Sequence, residues 1–208
     1  MKTNNIVLLI ISGLLLILSG CAYNAGYNPT YIPDENPEYF SSDNVLLFME
    51  DEEEQFVFTG SPTSLTGSGT TLTLPLGYIL KEVSEEVIED RFSGVMGFSN
   101  KIDDNSKYEL IYHPSLKRFE FRFNQLRNLG FAITPEVNFD LKIEFFDEEG
   151  NSIFSQLYQT GYVAGDTYLI SGSPAEEVSQ ILHKTLYKIL KQSFTDANSA
   201  LVSRANTP

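Results

Sequence analysis

The chain has 208 residues, enough for one domain with a sizeable core. Its 28 acidic residues outnumber 14 basic ones, a formal charge of −14, which argues against nucleic acid as a partner and against polybasic docking on anionic lipid. A single cysteine excludes an intrachain disulfide, so burial alone must stabilise the core.

Lys2 gives the chain a positive start, and Ile6 to Leu18 is apolar except for Ser12 and Gly13. Thirteen helical residues at ~1.5 Å each reach only about 20 Å, short of the ~30 Å hydrocarbon core. That favours a removable signal peptide over a permanent transmembrane helix. The run closes on Leu18-Ser19-Gly20-Cys21, which resembles a bacterial lipobox, the tetrapeptide at which a lipoprotein signal is lipidated and cut. The resemblance implies cleavage between Gly20 and Cys21, removing residues 1–20. It also implies a mature Cys21 carrying a thioether-linked diacylglycerol and often an N-acyl chain such as palmitate. Two or more acyl chains, at ~0.8 kcal/mol per buried CH₂, anchor a protein stably without spanning the membrane. Ala22 stands where lipoproteins retained in a Gram-negative inner membrane carry aspartate, so the resemblance implies the outer membrane, with the body in the periplasm. In a Gram-positive cell the same anchor would sit on the one membrane available. Cleavage leaves 13 basic and 28 acidic residues, a side-chain charge of −15 that suits a body held off a negative surface by its lipid.

Residues 21–43 read as the lipidated cysteine and a flexible tether. Pro29, Pro33 and Pro37 interrupt the tether, and Tyr23, Tyr27 and Tyr31 are regularly spaced in it, with neither helical nor strand periodicity. About 20 such residues reach roughly 25 Å. A single domain is expected over 44–196. Val45 to Met49 predicts a short buried strand, Glu50 to Glu54 a turn, and Gln55 to Thr59 a hairpin partner with Phe56 and Phe58 on one face. Gly60 to Thr70, rich in Ser, Thr and Gly, reads as a loop, and Thr71 to Leu74 as a brief strand.

Leu76 to Phe92 predicts a helix, with Ile79, Leu80, Val83, Val87, Ile88 and Phe92 on one face and Pro75 at its start. Glu109 to Tyr112 reads as a strand, after which His113-Pro114 reads as a loop. Phe119, Phe121 and Phe123 alternate with charged residues, as do Val137 to Phe145, giving strands with one buried and one wet face. Asp147 to Asn151 predicts a turn that returns Ser152 to Val163 as a partner strand, with bends at Gly161 and Gly165. Ser173 as cap, Pro174 at the first turn and Glu176 predict a final helix striped by Val178, Ile181, Leu182, Leu186, Ile189, Leu190 and Phe194. Residues 197–208 read as a C-terminal tail. The element order predicts an α+β fold, a two-layer sandwich whose mainly antiparallel sheet is covered by two helices.

Catalytic signals are sparse. His113 and His183 are the two histidines, and Cys21 would be acylated, so neither a zinc set nor a Cys-His pair is available. No Gly-x-Ser-x-Gly elbow occurs, and Gly67-Ser68-Gly69-Thr70 lacks the lysine of a phosphate loop. Glu50 to Glu54 and Asp103-Asp104-Asn105 lack the glycine and terminal glutamate of a calcium loop. Arg118, Glu120, Arg122, Asp140, Lys142 and Glu144 form the outer sheet face, to be read as cross-strand ion pairs or as a protein-docking face. No catalytic residue, metal or cofactor is expected.

The lipobox, tether and helix–sheet–helix order together resemble small accessory lipoproteins of Gram-negative envelopes. Examples are auxiliary lipoproteins of lipid-transport machines and the lipoprotein partner in lipopolysaccharide assembly. The resemblance implies a non-enzymatic adaptor or assembly factor of an envelope complex, held to the membrane through Cys21. The alternatives are a lipid-binding or lipid-transport auxiliary with a groove between helix and sheet, and a carboxylate-based hydrolase.

Overall fold

A computed structural model describes residues 21–26, 44–101, 107–124, 132–169 and 174–205. The expected signal peptide, residues 27–43 of the expected tether, Asp103-Asp104-Asn105 and the Ser173 cap lie outside them. The strands are β1 (Cys21–Asn24), β2 (Val45–Phe48), β3 (Phe58–Gly60), β4 (Thr70–Leu74), β5 (Met96–Ser99), β6 (Leu110–Asn124), β7 (Ala132–Asp147), β8 (Ser152–Gln159), β9 (Val163–Ala164) and β10 (Tyr168–Leu169). The helices are α1 (Asp51–Glu54), α2 (Leu76–Arg91) and α3 (Pro174–Ala205). The fold is α+β, as the element order predicts, with mixed but mostly antiparallel sheets.

The main sheet is built on β6 and β7, antiparallel from Leu110↔Asp147 to Asn124↔Thr134. β8, β9 and β10 pair in succession along the far side of β7. On the other side β2 runs parallel to β6, and β5 parallel to β2. β2 is buried at every position, with Val45 and Leu47 in the main core, joined there by Met49 just past its end, and Leu46 and Phe48 in a second cluster with Ile111. A strand covered on both faces reads as an unbroken apolar run, which Val45-Leu46-Leu47-Phe48 is.

Three expectations need correction. Gln55 to Thr59 does not return beside β2: both edges of β2 are taken by β5 and β6, and β3 pairs with β4 instead. Phe58 packs on the core, whereas Phe56 is exposed. His113 is not in a loop, because β6 runs unbroken through His113-Pro114. Pro114 lies just past Tyr112, the last β6 residue paired with β2, where its missing N–H costs no ladder bond on that side. The register shift between Leu116 and Arg118 leaves Lys117 as the extra residue of a bulge. Tyr112 faces the core before it, and Phe121 and Phe123 after it, so core positions change from even to odd within one strand. Sequence periodicity sees that change of phase as a break between strands. The third correction concerns the expected tail over 197–208: α3 continues through Ala205.

α2 and α3 cover the main core. Phe194 of α3 lies 5.2 Å from Phe92, 4.8 Å from Tyr112 and 5.0 Å from Phe145, ring centre to ring centre. The Tyr158 hydroxyl of β8 donates to Asp196 Oδ2 at 2.7 Å, and Ala197 is buried. These contacts hold the helix where sequence alone ends it.

α2 begins against the backbone of α1. Gly77 N donates to Phe56 O at 2.9 Å, and a Cβ at Gly77 would collide with the carbonyl oxygens of Glu53 and Glu54. Main-chain atoms cannot swing aside, so Gly77→Ala should cost about 1–3 kcal/mol. Gly69→Ala meets nothing within 4 Å and serves as the control. Chemical denaturation of the two signal-free variants should lower the midpoint for Gly77→Ala alone.

Candidate functional site

The segment that begins with Cys21 is part of the folded body. β1 runs parallel to β4 in the register Cys21↔Thr70 to Asn24↔Thr73, and Ala25 N donates to Thr73 O at 3.2 Å. Ala25 is buried in the main core, and Ser179 of α3 donates to Gly26 O at 2.9 Å. The flexible tether expected from residue 21 is thus corrected over 21–26. Four residues are too few to display strand alternation, and the β4 edge that receives them is fixed only by the fold. β1, β4 and β3 form a separate three-stranded sheet.

No charged residue occurs from Gln55 to Leu80, which supplies β3, β4 and the loop between them. That loop is tied down. Thr63 N donates to Phe121 O at 2.9 Å, Phe123 N donates to Ser64 Oγ at 3.0 Å, and Thr70 N donates to Gly67 O at 2.7 Å. Gly67 takes φ +74° and rests where a Cβ would come within 2.7 Å of the Phe123 ring. Leu65, at the tip, is 95% exposed.

The acidic run Glu50 to Glu54, expected as a turn, forms the single-turn helix α1, and two of its carboxylates are structural hubs. Glu53 Oε2 is 2.8 Å from His113 Nε2, Glu53 Oε1 accepts from the Ser115 hydroxyl, and Lys117 Nζ lies 3.7 Å away. The Glu50 amide also donates to Glu53 Oε2, at 3.2 Å. Burial alone would raise the Glu53 pKa, but the bonds from His113 and Ser115 outweigh it and hold the carboxyl at about 2. Glu54 accepts from Lys81 Nζ at 2.8 Å and from Asn100 Nδ2 at 2.8 Å, and these bonds lower its pKa too.

Histidine, serine and carboxylate therefore meet here, although sequence reasoning placed His113 alone in a loop. Their arrangement is that of a satisfied carboxylate rather than of an activated nucleophile. Ser115 and His113 each bond to Glu53, and a carboxylate held at about 2 is a weak base at neutral pH. A cavity of about 310 Å³ opens alongside, lined by Glu50, Glu52, Phe56, Leu80, Ser115 and Lys117. The one sequence signal of this hub is the Glu50-x-x-Glu53 spacing, a capping box.

His183 is fully buried between the helices, 3.1 Å from Glu86 Oε2 of α2, and one turn later the Tyr187 hydroxyl donates to Asp90. The outer sheet face carries the cross-strand pairing that its alternation predicts where Arg118 opposes Asp140 at 3.1 Å, whereas Lys142 Nζ pairs along its own strand with Glu144 at 2.8 Å. Arg122 bonds to Glu136 at 2.5 Å, so this face extends to an acidic residue not expected there. A groove of about 280 Å³ runs between β8 and α3, lined by Tyr158, Val163, Thr185, Lys188, Ile189 and Gln192. Among the described residues, no three His, Cys, Asp or Glu side chains are placed to hold a metal ion, and no helix is long and apolar enough to cross a membrane.

No family model and no curated protein matches the chain by sequence. Its fold is similar to that of a Xanthomonas campestris protein of family DUF330, with a TM-score of 0.54 and 10% identity over 89% of this chain and 100% of that one. A neuraminyllactose-binding hemagglutinin homologue from Helicobacter pylori aligns at a TM-score of 0.46 and 11% identity, over 85% of this chain and 97% of that one. A Caulobacter crescentus protein described as a lipoprotein aligns at 0.36 and 13% identity, over 64% of this chain and 85% of that one. At these identities the likeness is one of fold, carried by the first of the three.

The depressed Glu53 pKa gives a signed expectation. A carboxyl at about 2 in the folded chain and 4.5 otherwise contributes stability that is fully present above about pH 4.5 and is lost as pH falls toward 2. Glu53→Gln should cost about 1–3 kcal/mol at pH 7. Urea denaturation across this range should show the wild-type advantage shrinking between pH 4.5 and 2, whereas a constant gap would contradict the hub.

Proposed function

We propose that the protein is a non-enzymatic lipoprotein of the cell envelope, anchored by acyl chains on Cys21 in the outer membrane and acting as an adaptor or assembly factor. The lipobox-like Leu18-Ser19-Gly20-Cys21 carries this reading. The state of the polar clusters supports it: His113 and His183 each bond to a carboxylate, and the strand residues Arg118, Arg122 and Lys142 are paired. Such a molecule offers surfaces to a partner rather than a reaction centre.

A second reading, lipid binding, is favoured by the groove between β8 and α3, whose Tyr158, Val163 and Ile189 give it an apolar wall. Its volume of about 280 Å³ falls just below the span of small-ligand sites, about 300–1,000 Å³. That room favours a single chain or a small amphiphile over a whole diacyl lipid.

Palmitate labelling and mild crosslinking of cells test both readings. Wild type should take up label and co-purify with a defined envelope protein. Cys21→Ala, exported by a cleavable secretory signal, should lose both. An unlabelled wild type would overturn the anchor. A labelled wild type that crosslinks to nothing, yet carries lipid in native mass spectrometry, would replace the adaptor with the lipid-binding reading.

A further inference from the structure

We propose that the Ser61–Gly69 loop, with Leu65 at its tip, seats the protein on the bilayer that holds the Cys21 lipid, so that the domain rides on the membrane surface in one fixed orientation. This rests on Cys21 being acylated.

A lone exposed leucine on a soluble protein is ordinary. Three observations separate Leu65 from that background. The first is register. β1 and β4 run parallel with Cys21 opposite Thr70, and Thr70 is the residue at which the 61–69 loop rejoins the sheet. Acyl chains on Cys21 would therefore leave the domain at the end of the small sheet where Leu65 projects. The exposed Phe56, Val57 and Tyr78 belong to the opposite end of that sheet, since Phe58 pairs with Leu74.

The second is that the loop is built. Its bonds to Phe121 and Phe123, and the packing of Gly67 on the Phe123 ring, keep it from folding Leu65 back on the body. The Ser68 amide also donates to Leu65 O at 3.2 Å, closing the tip. An apolar side chain presented on a fixed loop can enter the acyl-headgroup boundary without an ordering cost at that moment.

The third is charge. The mature chain is strongly acidic, yet Gln55 to Leu80 is its longest stretch without an ionisable charge of either sign. A face brought against an anionic bilayer must lack carboxylates, which would be repelled there and are costly to desolvate. Within that run, the 61–69 loop and the start of β4, which lie beside Cys21, carry no carboxylate, and neither do Ala22 to Gly26.

Val95 is the natural comparison. It is also apolar and exposed, at 67%, but Val45 N donates to its carbonyl and Val45 pairs with Leu110, at the far end of β6. The loop rests at Phe121–Phe123, so the two sites are separated by about 40 Å of strand at ~3.3 Å per residue.

The test uses full-length Leu65→Cys and Val95→Cys processed through the native signal, each left with one free thiol once Cys21 is acylated. Both are labelled with an environment-sensitive dye in vesicles of phosphatidylethanolamine and phosphatidylglycerol. The dye at 65 should shift to the blue and be roughly threefold or more less quenched by aqueous iodide than the dye at 95. Equal quenching at the two sites, with acyl mass confirmed on the intact chain, overturns the seat and leaves the anchor standing. Absence of acyl mass overturns both.

Discussion

The pairing of β6 with β7 is the constraint on which the rest of the molecule depends. Two strands of 15 and 16 residues run antiparallel through almost their full length. Every other part of the main sheet borrows an edge from this ladder: β2 and then β5 on one side, β8, β9 and β10 in turn on the other. The aromatic contacts that hold α3 come from Tyr112 and Phe145 within it. The bulge at Lys117 lets one long strand serve two sets of contacts. Before it, His113, Ser115 and Lys117 gather around Glu53, and after it Arg118 and Arg122 pair across to Asp140 and Glu136. Without the change of phase, either the core aromatics or the polar network would face the wrong side.

Much of this layout was legible in the sequence, and the failures share a cause. Alternation over Val137 to Phe145, the apolar stripe of α2 and the acidic turn at Asp147 are local signals. Each survives in the structure: Gly150 takes φ +81°, and Asp147 Oδ1 accepts from the amides of Glu149 and Asn151. What failed was non-local or broke the period. The parallel pairings of β2 join residues about fifty to sixty-five positions apart, which no window detects. The even-to-odd change in β6 turned one strand into two. α3 outruns its apolar stripe because Tyr158 and the Phe92–Tyr112–Phe145 cage act on it from other elements. The Glu53 hub was illegible for the same reason, since His113 and Ser115 come from about sixty residues away.

The acidity of the chain takes on a different meaning once its partners are known. Glu53, Glu54, Glu86, Asp90, Glu136 and Asp196 each accept a bond from another element. They tie α1 to β6, α1 to α2, α2 to α3, β7 to β6, and α3 to β8. A carboxylate that is partly shielded and bonded across elements is worth more to stability than one paired on the open surface, because less water competes for its donors. Part of the negative charge is thus internal bracing, and the histidines are absorbed in the same way.

The placement of β1 changes what the proline-rich segment joins. A tether would stand between the lipid and the domain, and the body would sample every orientation within its reach. With Cys21–Asn24 in a sheet and Ala25 in the core, residues 27–43 instead connect two parts of one fold, from the end of β1 to the start of β2. The distance from the Cys21 backbone to the body is then that of a neighbouring strand, about 5 Å, rather than the ~25 Å of a loose chain. With acyl chains on Cys21, such close attachment would leave the domain fewer orientations than a loose tether does. A surface held that way would meet a second membrane protein as a search in two dimensions, which would raise effective concentration without adding a contact. For an adaptor, the stitched N-terminus would therefore add to affinity beyond what a docking face supplies.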